Sequence, residues 1–186
     1  MNEVFLVSEN YVRNLTNIDN NLQSKFLLSA IREAQEVHYQ QVVGTKLLRK
    51  LKSLVDNDTI NDTENVAYKD LIDNSQLFLA YQSVVELCLI SSVKLSNAGL
   101  QQNSDENLAP LDVNDTIKIQ DLYQKKADFF RKRLMGYVLD HRTELPEING
   151  NKCQDMYAEL HSAASTNLFL GGARGKRNNR INCCKK

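Results

Sequence analysis

The chain has 186 residues, with 23 basic and 23 acidic side chains, seven Gly, two Pro and no Trp. That length suits one domain with a real core, and scarce Gly and Pro beside plentiful aliphatic residues argue for helices over a sandwich or barrel. The charge is uneven: six of the basic residues and no acid lie from Gly171 onward, which leaves 17 basic against 23 acidic residues before it, a net of −6.

The opening "MNEVFLVSEN" is too short and too acidic for a signal peptide, and no apolar run approaches the roughly 20 residues of a membrane span. Four Asn-x-Thr triplets, at Asn14, Asn57, Asn61 and Asn114, then read as turn-prone sequence. Cys88, Cys153, Cys183 and Cys184 form no secreted disulfide framework, so reduced thiols in a cytoplasm are expected.

In chain order, Ser8 is placed to cap a short helix running toward Leu15, and "NIDNN" follows as a turn. A long helix is predicted from about Asn21 to Val43. Leu27, Ile31, Ala34 and His38 mark one face, widened by Val37 and Val42. Gly44 ends it, because Gly tolerates a left-handed turn, and Thr45 caps a new start. "TKLLRKLKSLV" continues as a second helix with Leu47, Leu51 and Leu54 inward and Lys46, Arg49, Lys50 and Lys52 mostly outward. The polar "DNDTINDTEN" is an exposed connection.

A short helix over "VAYKDLID" is predicted next, with Ser75 capping a further helix from about Gln76 to Ser96. That helix is apolar nearly all round, which places it at the centre of a bundle. "NAGL" stops it. A long polar loop spans Gln101 to Asp115, and loops of that length are commonly functional. Asp115 or Thr116 caps the last major helix, to about His141, with Ile119, Leu122, Tyr123, Phe130, Leu134, Tyr137 and Val138 inward. Pro146 forbids its continuation. A weaker helical stretch over "CQDMYAELHSAAS" puts Met156 or Tyr157, Leu160 and Ala164 on one side. The fold expected is all-α: a compact bundle of about four to six helices with long loops. Residues 1–148 form the bundle, and 149–186 a C-terminal extension that ends in an extended tail.

The tail "LFLGGARGKRNNRINCCKK" invites several chemistries. It is no phosphate loop: Gly171 and Gly175 are separated by three residues, and Arg177 stands where a magnesium-binding hydroxyl is needed. Adjacent Cys183 and Cys184 do not suit one tetrahedral zinc ion, and His141, Cys153 and His161 have no recognised ligand spacing, so no metal or other cofactor is expected. His38 on an apolar face reads as a satisfied core histidine. No G-x-S-x-G occurs. Glu86, the one acid in a strongly apolar helix, reads as a rim residue or a partner of a base sooner than as a catalytic acid. No enzyme is therefore expected. A basic tail would attract phosphate in a salt-dependent way, though no base-reading motif accompanies it. The apolar Leu168, Phe169 and Leu170, followed by flexible glycines and by Arg174, Lys176, Arg177 and Arg180, read best as a docking peptide for a partner.

The order of segments carries a resemblance. "AIREAQ…VVGTKLLRKL", with Gly44 and Thr45 at the helix break, then "LFLAYQSVVE", then the closing "FFRKRLMGYVLDHRTELPEI", resembles the head–tail connector proteins of tailed bacteriophages. It is most similar to the ring or adaptor proteins of phages of Bacteroides-type gut bacteria, the crAss-like phages among them. The resemblance covers about residues 4 to 148 and stops before the tail. It implies a structural virion protein without an active site. Such proteins assemble into a ring, usually of twelve copies, beneath the portal at the neck of the virion, after synthesis in the host cytoplasm. The ring extends the DNA channel and gives further tail or ring proteins a platform, and genomic DNA passes without sequence-specific binding. The alternative is a small helical nucleic-acid-binding protein that uses its basic tail.

Overall fold

The computed structural model describes residues 3–16, 18–19, 21–96, 99–102, 113–148 and 156–159. Its helices are α1 (Glu9–Leu15), α2 (Ser24–Glu33), α3 (Gln40–Asp56), α4 (Val66–Ser92) and α5 (Val113–Asp140). A π-helical turn, Ala34–Tyr39, joins α2 to α3, and short 3₁₀ turns lie at Thr63–Asn65 and Pro146–Ile148. The architecture is an all-α bundle. Among the described residues, one two-stranded antiparallel pair, β1 (Val93–Ser96) with β2 (Gly99–Gln102), follows α4.

Ser8 caps α1 as the sequence predicts, its Oγ accepting the Tyr11 amide at 3.2 Å. Arg13 then fastens this helix to the turn behind it. It donates to Glu9 Oε1 at 2.7 Å and to the carbonyls of Asp19 and Leu22 at 2.6 and 2.7 Å. The N-terminal segment is held by Gln35, buried in the π turn. Its Oε1 accepts the Leu6 amide at 2.8 Å and its Nε2 donates to the Val4 carbonyl at 3.0 Å. One side-chain amide thus satisfies two backbone groups that would otherwise be stranded beside the buried Leu6 and Val7.

α4 is the central element, packed against α1, α2, the π turn and α5. It differs from the prediction in two ways. It runs unbroken from Val66, so Ser75 is not a cap. Ser75 is fully buried in mid-helix, where its hydroxyl donates back to the Ile72 carbonyl at 2.7 Å. It also stops at Ser92, four residues before the predicted end. Val93–Ser96 instead pair with Gly99–Gln102, in register Val93 to Gln102 and Ser96 to Gly99. Alternation of Val93 and Leu95 with Lys94 and Ser96 suits a strand.

α5 runs antiparallel to α4. Tyr81 of α4 stacks on Phe130 of α5 at 5.5 Å between centroids. At the far end, Tyr68 donates to Glu147 Oε2 at 2.9 Å, beyond the end of α5. Burial, aided by that carboxylate, pushes the Tyr68 phenol up to about 12. Ala127, Leu134, Met135 and Val138 are the buried positions of α5. The predicted inward face is corrected at its start: Ile119 and Leu122 are exposed, at 40 and 54 %. Val37 is also exposed, at 49 %, while Val42 is buried. The wider π turn shifts the helical phase that the sequence pattern assumed.

The predicted loop is shorter than its sequence suggested, since Gln101 and Gln102 belong to β2 and α5 starts at Val113. Residues 103–112 lie outside the described residues. So do residues 160–186, and with them the predicted docking residues Leu168, Phe169, Leu170, Arg174, Lys176, Arg177 and Arg180.

Candidate functional site and interaction surfaces

Three local arrangements bear on function. The first is at the break between α2 and the second half of α3. Gly44 adopts φ 80°, ψ 159°, a backbone region open essentially to Gly alone. The interruption frees backbone groups on both sides, and an extended segment, residues 156–159, takes them. The Thr45 amide donates to the Met156 carbonyl at 3.0 Å, and the Glu159 amide donates to the Gln41 carbonyl at 2.8 Å. Thr45 Oγ1 accepts the Met156 amide at 3.0 Å and Gln40 Nε2 at 2.7 Å. A Cβ at Gly44 would lie 3.0 Å from the Ala158 nitrogen and 3.2 Å from the Met156 oxygen, so the absent side chain is what admits the strap. Arg131 of α5 reaches Glu159 at 3.4 Å. Residues 156–159 are therefore extended where the sequence suggests helix. Their backbone hydrogen bonds go to α3, and Leu160 and Ala164 of the predicted stretch lie outside the described residues.

The second arrangement is a polar bridge. His38 Nε2 meets Glu86 Oε1 at 2.8 Å, and Gln82 Nε2 donates to the same oxygen at 3.0 Å. The one acid of the apolar helix thus pairs with a base across the bundle. His38 is one-third exposed and Glu86 13 % exposed, so the bridge lies at the rim of the core. It joins the π turn to α4, and the sequence singled out both residues without joining them. Beside it, Lys52 of α3 pairs with Glu36 of the π turn. Among the described residues, no group of three or more His, Cys, Asp or Glu could hold a metal ion. The His141 ring stacks on that of Tyr137 at 4.0 Å between centroids, and burial raises the Cys88 thiol above its ordinary range.

The third arrangement is the outer face of α5, which sequence reading missed in part. Leu122 and Phe129 are seven residues apart and so share one face of the helix. They are 54 and 59 % exposed. Lys125, Lys126, Lys132 and Arg133 stand three or four residues from Phe129 on either side and surround it with positive charge. Lys126 lies over the rings of Tyr123 and Tyr81, at 4.9 and 5.5 Å, and Arg133 over Phe130 at 5.8 Å. None of these four cations has an ion pair among the described residues. The inward face read from the sequence included Leu122 and left Phe129 unassigned. The signal available was the i±3 and i±4 spacing of cations about Phe129.

No helix among the described residues is long and apolar enough to cross a membrane. No match to the chain was found among curated proteins or solved structures. A family match covers residues 39–157, from the last residue of the π turn through α3, α4 and α5 to the strap. The chain belongs to that family, the family of unknown function designated DUF6712.

Proposed function

We propose that this chain is a non-enzymatic structural virion protein, a ring subunit at the portal vertex that joins the DNA-filled head to the tail and extends the DNA channel. Its partners are further copies of itself, in a ring of about twelve by the resemblance, together with the portal protein and further tail or ring proteins. It works in the virion neck and is assembled in the host cytoplasm. The order of segments in the sequence is what suggests this role. The observation that carries it is apolar surface left open along the α4–α5 pair: Leu89, Ile117, Ile119, Leu122 and Phe129 are all 40 % or more exposed. Exposed apolar side chains on rigid helices suit a subunit that is covered by neighbours. A ring needs a stiff body with two unlike faces, and a helical bundle supplies one.

The test is electron microscopy of the protein mixed with the portal from the same genome. A ring seated beneath the portal is the expected outcome. Failure to bind that portal, together with absence of the protein from purified virions, would refute the reading. Deleting residues 168–186 should leave the bundle folded and weaken assembly on the portal, and unchanged assembly would remove the docking role from Leu168, Phe169, Leu170 and the basic residues after them. The second reading, a nucleic-acid-binding protein, is favoured by the basic tail. It requires salt-dependent DNA affinity that disappears with the tail.

A further inference from the structure

The described surface has a second charged feature, opposite in sign to the cation-ringed face of α5. Between residues 56 and 73 stand Asp56, Asp58, Asp62, Glu64, Asp70 and Asp73, all exposed, against the single cation Lys69. None of the six carboxylates has an ion pair among the described residues. Val66 lies within this acidic segment and is 53 % exposed. Val66, Asp70 and Asp73 are spaced i, i+4, i+7 and share one face of α4.

The centres of the two patches lie apart within one chain. Phe129 is adjacent to Phe130, which stacks on Tyr81. Val66 is fifteen residues before Tyr81 on the same helix, a distance of about 22 Å at 1.5 Å per residue. An exposed apolar residue rimmed by carboxylates therefore sits well apart from an exposed aromatic residue rimmed by cations. Each has the composition the other needs: an apolar centre and a charged rim of opposite sign.

We infer that the acidic segment 56–73 of one copy, centred on Val66, docks on the cation-ringed Leu122–Phe129 face of α5 in the next copy. This contact rests on the ring reading above and names the surfaces by which copies meet. It uses two different patches, so it is head-to-tail. Where each copy engages two different neighbours, such contacts propagate into a closed ring or an open filament, and a reciprocal two-fold pair would instead stop at two copies. The rival occupant of the α5 face is nucleic acid, which the same cations would attract.

The experiment uses the full chain and two charge-reversed variants whose altered residues are exposed. One carries Lys125→Glu with Arg133→Glu, the other Asp62→Lys with Glu64→Lys, and circular dichroism checks that both keep their helices. Sedimentation over a concentration series reads self-association. Each variant alone should associate at least about tenfold more weakly than the parent chain. An equimolar mixture should recover association to within about threefold, because every junction then pairs opposite charges again. A photo-crosslinking amino acid at position 129 should join copies through residues 56–73, as mapped by mass spectrometry.

Three results would overturn the inference: a parent chain that stays monomeric at the highest concentration reached, a mixture that does not recover, or crosslinks that fall outside the acidic segment. Loss of duplex DNA retention in the Lys125→Glu, Arg133→Glu variant with self-association unchanged would also overturn it, and would assign the face to nucleic acid. Portal binding is measured separately, so a failure of this contact is distinguishable from a failure of the connector reading.

Discussion

Two residues show how much local structure can rest on one side chain or on its absence. Gly44 holds a backbone conformation that other residues enter only with strain, and its missing Cβ leaves room for the strap. Gly44→Ala is expected to cost about 2–3 kcal/mol, combining an unfavourable φ with displacement of residues 156–159. Equilibrium denaturation reads the loss. Faster hydrogen exchange at the Thr45 and Glu159 amides identifies its cause. Arg13 is the counterpart, a nearly buried guanidinium that serves Glu9 and two backbone carbonyls. Arg13→Ala should destabilise the chain by about 2 kcal/mol in a urea titration, since it strands those acceptors. Glu9 carries the matching pH dependence. The Arg13 and Ser24 hydrogen bonds hold its carboxyl below the ordinary 4.5. The folded state therefore binds this proton less readily than the unfolded chain does. The stabilisation is present above pH 4.5 and is lost as the pH falls through the lower folded value. Glu9→Gln should shallow the acid limb of the stability profile below that point and leave its neutral-to-alkaline shape unchanged. An acid limb identical to that of the parent chain would contradict this.

At the scale of elements, the hydrophobic pattern was a good guide in α2 and after Gly44 in α3, but not at the start of α5, where Ile119 and Leu122 are exposed. The stripe Leu27, Ile31 and Ala34 is buried, as are Leu47, Leu51 and Leu54, and the charged residues Lys46 and Arg49 face out as their spacing predicts. It also failed where geometry departs from 3.6 residues per turn or where a polar residue has a second use. The π turn moved Val37 into solvent. Ser75 has the chemistry of a cap but bonds the previous turn of its own helix, so α4 continues through it. The π turn also presents Gln35 to the N-terminal segment, which a periodicity argument cannot anticipate because the partners are about 30 residues away in sequence. Gln35→Ala is expected to cost about 2 kcal/mol, the penalty for leaving the Leu6 amide and Val4 carbonyl unpaired in a buried setting. Limited proteolysis should then cut within residues 3–7 first. An unchanged cleavage pattern would mean that Leu6 and Val7 hold the segment by burial alone.

For the whole molecule, composition and charge were enough to specify an all-α bundle, the central place of the apolar helix, the break at Gly44 and the contrast between an acidic body and a basic end. These are properties that add up along the chain: propensity, periodicity and net charge depend on near neighbours in sequence. Tertiary structure decided what meets across the bundle. It paired His38 with Glu86, laid residues 156–159 on the Gly44 break, and set the end of the predicted long helix in an antiparallel strand pair. It also left Leu122 and Phe129 outside the core, separated from the acidic patch around Val66. An amphipathic pattern states that an apolar residue needs cover, and only the packing of helices settles whether the same chain provides it.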